Sequence, residues 1–194
     1  MFAGASGRGF DTIDAGTEND ADVILGDNGF ADFDNVGGVS VIRHVESTNP
    51  DEGHDDEILA GDGPDVVVAG SGEDMVDAGS DTSRDILLGD NGRALFDTTG
   101  VLIQINSTDP TYGDDDALLA RNGNDFVIGG PGNDLIDAGS DTGIDVVIGD
   151  NGFAQFDNHQ GASLIRTIAS DTPEVGGDDN ITVGDGPDVV VAGS

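Results

Sequence analysis

Short apolar clusters stand apart along the chain, separated by runs of Gly, Asp, Ser and Asn. They include Val66-Val67-Val68, Met75-Val76-Asp77, Ile86-Leu87-Leu88, Phe126-Val127-Ile128, Leu135-Ile136-Asp137 and Val146-Val147-Ile148. None is long enough for a helix. Apolar, largely β-branched residues between glycine turns predict strands of about three residues with the middle side chain inward. The clusters keep a period. Ala60-Gly61-Asp62-Gly63-Pro64-Asp65-Val66-Val67-Val68 is followed directly by Ala69-Gly70-Ser71-Gly72-Glu73-Asp74-Met75-Val76-Asp77, a nine-residue step. The next step, Ala78 to Leu87, is one residue longer and puts Asp85 in the aspartate place. A glycine turn plus a short strand is half a coil, so two steps close one turn of a flattened solenoid whose coils stack ~4.8 Å apart. Val67, Val76, Leu87, Val127, Ile136 and Val147 then form inward ladders, a thin core along the axis.

A longer repetition encloses the short one, and such periods point to repeat architectures. The tetrapeptide GDNG starts at Gly26, Gly89 and Gly149, at spacings of 63 and 60 residues. GDGPDVVVAGS starts at Gly61 and returns at Gly184, with RNGNDFVIGGP as its counterpart from Arg121. This divides residues 1–194 of a single continuous solenoid into a partial repeat 1–25, repeats 26–88 and 89–148, and a partial repeat 149–194.

The 194 residues carry 40 acidic and 6 basic side chains, a formal net charge of −34, with 32 glycines. A chain this acidic repels itself and resembles disordered segments in composition, so an ordered solenoid needs something to neutralise the acid. Hard divalent cations suit carboxylate oxygens. The charge sign excludes a basic nucleic-acid-binding face. No stretch approaches the ~20 apolar residues of a membrane-spanning helix, and MFAGASGRGF is not a signal peptide. Without cysteine there are no disulfides or thiolate metal sites.

The aspartates keep the phase of the strands. Asp56, Asp65, Asp74 and Asp85 recur as Asp116, Asp125, Asp134 and Asp145, then as Asp179 and Asp188, and Asp11 and Asp22 extend the series at the N-terminal side. Residues eighteen apart fall on the same edge of successive coils, so Asp56 and Asp74 share one edge and Asp65 and Asp85 the other. Stacked carboxylates repel unless a cation lies between them. A turn preference of Asp-Gly sequences explains some of these residues, but not a fixed phase with an apolar partner two residues on. Asp55, Asp115 and Asp178 form an adjacent row, either ligands or solvated charge.

The Gly-Gly-x-Gly-x-Asp-x-apolar-x pattern closely resembles the repeats-in-toxin (RTX, hemolysin-type calcium-binding) family, with Ala often in the first place. The resemblance covers half to two-thirds of the chain. It implies an all-β, right-handed parallel β-roll or β-solenoid that binds several Ca²⁺ ions. These would be held by the twelve aspartates named above and by carbonyls of turn residues such as Gly63 and Gly72, with binding and folding a single event.

The remaining third of each repeat is not nonameric. An Ala-x-Phe stretch ending at Phe33, Phe96 or Phe156 leads to a glycine-bearing turn and an alternating strand such as Val39 to Glu46. This predicts an inserted β-hairpin, or two longer strands continuing the solenoid's sheets, with the Phe residues as core plugs. The loops STNPDEG, STDPTYG and SDTPEVG are the expected place for the length difference. His44, His54 and His159 do not recur at equivalent positions and predict solvated histidines rather than a site. No nucleophile–base set or phosphate loop appears. With forty acids a glycosidase-like pair could always be drawn and means nothing. Asn106-Ser107-Thr108 and Asn180-Ile181-Thr182 are sequons by pattern only.

The expectation is a non-enzymatic, calcium-binding structural segment of a large secreted bacterial repeat protein. It would serve as an adhesin, matrix, surface-layer or filament rod at the cell surface, with calcium ions as partners and end-to-end self-association open to it. An accessory module of a secreted enzyme or toxin is the other reading. The long insert and the sixty-residue unit suit an extended rod better.

Overall fold

The computed structural model describes the backbone of residues 2–4 and 9–193 and the side chains of residues 9–193. Residues 1, 5–8 and 194, which fall in the partial repeats 1–25 and 149–194, lie outside the described residues. Three sheets make up the fold. The first is parallel, with β1 (Phe2–Gly4), β3 (Val23–Leu25), β7 (Val66–Val68), β9 (Ile86–Leu88), β13 (Phe126–Ile128), β15 (Val146–Ile148) and β19 (Val189–Val191) in that order. The second, also parallel, stacks β2 (Thr12–Asp14), β6 (Glu57–Leu59), β8 (Met75–Asp77), β12 (Ala117–Leu119), β14 (Leu135–Asp137) and β18 (Asn180–Thr182). Successive coils are in strict register, Val67 beside Leu87 and Val127 beside Val147. The chain is a parallel β-roll.

The insert is a hairpin, and it does not continue the solenoid's sheets. β4 (Gly29–Val36) pairs with β5 (Val39–Ser47), β10 (Gly92–Phe96) with β11 (Leu102–Ser107), and β16 (Gly152–His159) with β17 (Ala162–Ser170). The three hairpins join through β5–β10 and β11–β16 into one antiparallel sheet. Strand spacing accounts for the sixty-residue unit. A hairpin is two strands wide, about 9.6 Å, and two coils rise by the same amount. Inserting a hairpin at every second coil therefore produces a third sheet in step with the first. Ser47 and Ser107 lock the seams, each accepting the amide of the next hairpin's first glycine, Gly92 at 3.0 Å and Gly152 at 2.9 Å.

The layers explain the two kinds of apolar cluster. Middle residues of both parallel sheets meet inside the roll, Ile24, Val67, Leu87, Val127 and Val147 against Ile13, Ile58, Val76, Leu118 and Ile136. The outer face of the first sheet is also covered: Val66, Val68, Ile86, Leu88, Phe126, Val146 and Ile148 pack on Val45, Ala94, Ile105 and Ala154 of the hairpins. Strands buried on both faces read as unbroken apolar runs, hence ILL and FVI. The second sheet has one solvent face, hence MVD and LID, whose first residues Met75 and Leu135 are exposed. Replacing Leu87, fully buried, with Ala is expected to lower the stability of the calcium-loaded chain by about 2–5 kcal/mol. Met75→Ala should cost under ~0.5 kcal/mol, and equal denaturation midpoints for the two variants would contradict this layer assignment.

Two expectations about the insert need correction. The length difference does not lie in the loops STNPDEG, STDPTYG and SDTPEVG, which keep one length from Ser47, Ser107 or Ser170 to the following Asp56, Asp116 or Asp179. It lies in the hairpin tip, where Asp97-Thr98-Thr99-Gly100 closes a shorter middle hairpin. The alternation of the return strand is also broken, by a bulge at Arg43, Ile103 and Arg166. The bulge turns Ile42 and Leu102 toward the core in place of the arginine and its equivalents. Phe96 and Phe156 are core plugs, Phe156 stacked on Phe126 at 4.5 Å between centroids, but Phe33 on the first hairpin is 46% exposed.

Candidate metal centre

Each coil turns from one parallel sheet to the other at two edges, and at each turn the residue just before the next strand is an aspartate. Parallel stacking places these aspartates above one another, and all twelve predicted positions fall into two ladders of six. In the first, the amides of Asp11, Asp56, Asp74, Asp116 and Asp134 donate to Oδ1 of Asp56, Asp74, Asp116, Asp134 and Asp179 in turn, at 2.7–3.0 Å. In the second, the amides of Asp22, Asp65, Asp85, Asp125 and Asp145 donate to Oδ1 of Asp65, Asp85, Asp125, Asp145 and Asp188, at 2.8–3.0 Å. One carboxylate oxygen thus extends the strand ladder past the end of each strand.

The second oxygen is left over. Oδ2 of Asp56, Asp65, Asp74, Asp116, Asp125, Asp134, Asp145 and Asp179 is buried with no hydrogen-bond partner. A buried, unpaired carboxylate oxygen is expensive, and here the cost is repeated along both edges. Burial pushes the carboxyls of Asp56, Asp145 and Asp179 up to about 6. It pushes Asp65, Asp125 and Asp134 to about 7, and Asp74 and Asp85 to about 8. Asp116 is raised well above its usual range, by burial first and then by the charge of Asp74.

Such a row has the chemistry of a site for hard cations, which take oxygen ligands and replace the missing partners. Among the described residues, no three Asp, Glu or His side chains converge as a ligand group. Successive coils offer carboxylates in pairs, so turn carbonyls must complete any coordination. Glycine brings those carbonyls close: a Cβ on Gly63 or Gly72, at φ +130° and +137°, would overlap the backbone of the neighbouring coil at Asp20 or His54.

The flanking row stands outside the two ladders. Asp55, Asp115 and Asp178 are exposed, and the first two cap the amides of Glu73 (3.1 Å) and Asn133 (2.8 Å). His54 and His159 are exposed, while His44 pairs with Glu46 at 2.7 Å on a hairpin. The aspartates that sequence reasoning missed are Asp27, Asp90 and Asp150 of the GDNG tetrapeptides. They occupy a glycine place of the nonapeptide and so fall outside its aspartate phase, yet they lie beside the first ladder. Their exact recurrence at the repeat period was the available signal.

No curated protein and no solved structure matches the chain. The RTX calcium-binding nonapeptide repeat matches residues 52–84, 111–144 and 175–194, the segments that hold eight of the twelve ladder aspartates. A parallel roll with paired, unsatisfied carboxylates at the turns agrees in fold and chemistry with calcium-binding repeats, and in these segments the chain carries the RTX calcium-binding nonapeptide repeat.

Proposed function

We propose that the chain is a non-enzymatic structural segment of a larger secreted bacterial protein, folded by calcium, whose role is length and rigidity. The observation that carries this reading is the pair of carboxylate ladders with their unpartnered Oδ2 atoms. In it, Asp11, Asp22, Asp56, Asp65, Asp74, Asp85, Asp116, Asp125, Asp134, Asp145, Asp179 and Asp188 hold several Ca²⁺ ions between successive coils, with turn carbonyls. Calcium supplies positive charge where the fold has stacked negative charge, and everything else is the chain's own geometry. The extracellular calcium concentration suits weak sites of this kind, and a chain of charge −34 stays unfolded where calcium is scarce.

The rod reading, as part of an adhesin, matrix, surface layer or filament, is supported by the unit itself. Two coils and one hairpin advance by the same rise, so units add without limit in one direction. Self-association through the open sheet edges belongs to the same reading. The test is a calcium titration followed by circular dichroism, with magnesium as control. A coil-to-β transition is expected in calcium. Asp65→Asn combined with Asp74→Asn should move its midpoint to at least about tenfold higher calcium, whereas His54→Ala should leave it in place. A double variant that titrates like the parent would remove the ladders from the calcium sites.

A further inference from the structure

Where each hairpin leaves the roll, an acidic side chain stands in a place that is glycine in the turns without a hairpin. Asp27, Asp90 and Asp150 occupy the positions of Gly70 and Gly130. Each side chain is received by two glycines. A Cβ on Gly130 or Gly113 would overlap the Asp90 carboxylate, and Gly70 and Gly53 stand in the same relation to Asp27. Gly113 lies on the segment returning from the hairpin, so Asp90 reaches across the root from outgoing to returning chain.

The three roots differ in what satisfies the carboxylate. Asp27 Oδ2 accepts the Ser71 amide at 2.8 Å, and Asp150 Oδ1 accepts the Gly177 amide at 2.7 Å. At the middle root the counterpart of Ser71 is Pro131, which has no amide hydrogen to give. Asp90 is 2% exposed and no hydrogen bond of ordinary geometry reaches either carboxylate oxygen; the Asp114 amide, counterpart of the Gly177 amide, is the one backbone donor that favours its charged form. The returning chain brings a second such atom. Oδ2 of Asp116 is also unpartnered and lies against the Cα of Gly89, next to Asp90. After burial, the charge of Asp116 is the largest influence that raises the Asp90 carboxyl. A pair of buried, unpaired carboxylates is tolerated only with protons or a cation between them.

We propose that the root of the middle hairpin is a cation site of its own, in which the carboxylates of Asp90 and Asp116 hold one hard divalent ion of the calcium class and tie the outgoing chain to the returning one. The proposal rests on the calcium reading above, but it assigns a residue outside the nonapeptide aspartates. An acidic cleft of about 410 Å³ bordered by Asp51, Asp55, Tyr112 and Asp114 lies beside this root at Gly113.

The chain carries its own reporter. Tyr112, next to Gly113, is the single tyrosine, and there is no tryptophan. Terbium(III), a calcium substitute whose emission is sensitised by a nearby aromatic ring, therefore reports on ions close to this root. Terbium titration of the whole chain, excited through tyrosine and competed with calcium, is expected to show a site that Asp90→Asn weakens at least about tenfold. His159→Ala, exposed on the third hairpin and outside both ladders, should leave that emission unchanged. An Asp90→Asn titration that overlays the parent overturns the proposal while leaving the ladders intact. A parent chain that binds neither terbium nor calcium overturns the calcium reading itself. Should Asp90→Asn fail to fold in saturating calcium, Pro131→Ser keeps every charge and offers the carboxylate an amide. Its sensitised emission should require several-fold more terbium, and an unchanged titration overturns the proposal.

Discussion

Stripped of divalent cations, the chain is expected to lose its β-sheet signal at pH 8 and to recover part of it as the pH falls toward about 4. The ladder carboxyls have folded-state values raised to about 6 to 8 by burial, against ~3.9 for aspartate in an unfolded chain. The folded state therefore binds more protons than the unfolded state between these limits, and metal-free stability must rise as pH falls through that window. Above pH 8 the groups with these values are ionised and their full penalty is present. Below about 4 both states are protonated and the penalty is gone. Each group costs about 3–6 kcal/mol at pH 8, so a few of them outweigh the ~5–15 kcal/mol that holds an ordinary domain together. Calcium reverses the sign, because protons compete with it for the same oxygens. In millimolar calcium the thermal midpoint should fall, not rise, on acidification from pH 8 to pH 5. Thermal melts by circular dichroism at several pH values, with chelator and with calcium, check both slopes. A chelated chain that is most stable at pH 8 would falsify this account of the ladders.

Removal of the middle hairpin should have the second large effect, and a different one. With Arg93 to Asn106 replaced by a short turn, the ladder aspartates all remain, and calcium binding at the opposite edge should persist. The outer face of the first sheet would lose its cover over Val66, Ile86, Leu88 and Phe126. Uncovering such side chains costs about 1.5–3 kcal/mol each and leaves a contiguous apolar patch of the kind that drives association. Dye binding and oligomers are therefore expected in calcium, by fluorescence and size-exclusion chromatography. A soluble monomer without dye binding would mean that the hairpin sheet is an ornament on the roll rather than its third layer.

How much of this was legible beforehand depends on the range of the interaction. The aspartate phase and the inward ladder through Val67, Leu87 and Val127 were readable because a nine-residue step maps directly onto half a coil. The hairpin itself was readable from Phe33, Phe96 and Phe156 followed by glycine-bearing tips. Its destination was not: nothing local in Val45 or Ile105 says which of several sheets will cover them. The length difference was misplaced for the same reason, since a tip and a return loop look alike in polarity. Asp90 was passed over because its meaning lies in Gly113, Gly130 and Pro131, none of which neighbours it in the chain.

The sequence by itself determined the period, the parallel stack and the two edges on which carboxylates accumulate, because those follow from strand geometry and a repeat of fixed length. Only the tertiary structure decided that the first sheet is buried on both faces, that the hairpins fuse into a third sheet, and that in eight of the ladder carboxylates one oxygen is bonded while the other is left over. Those outcomes depend on which distant surfaces meet and on which amides reach which oxygens. Contacts of that kind have no signature in neighbouring residues.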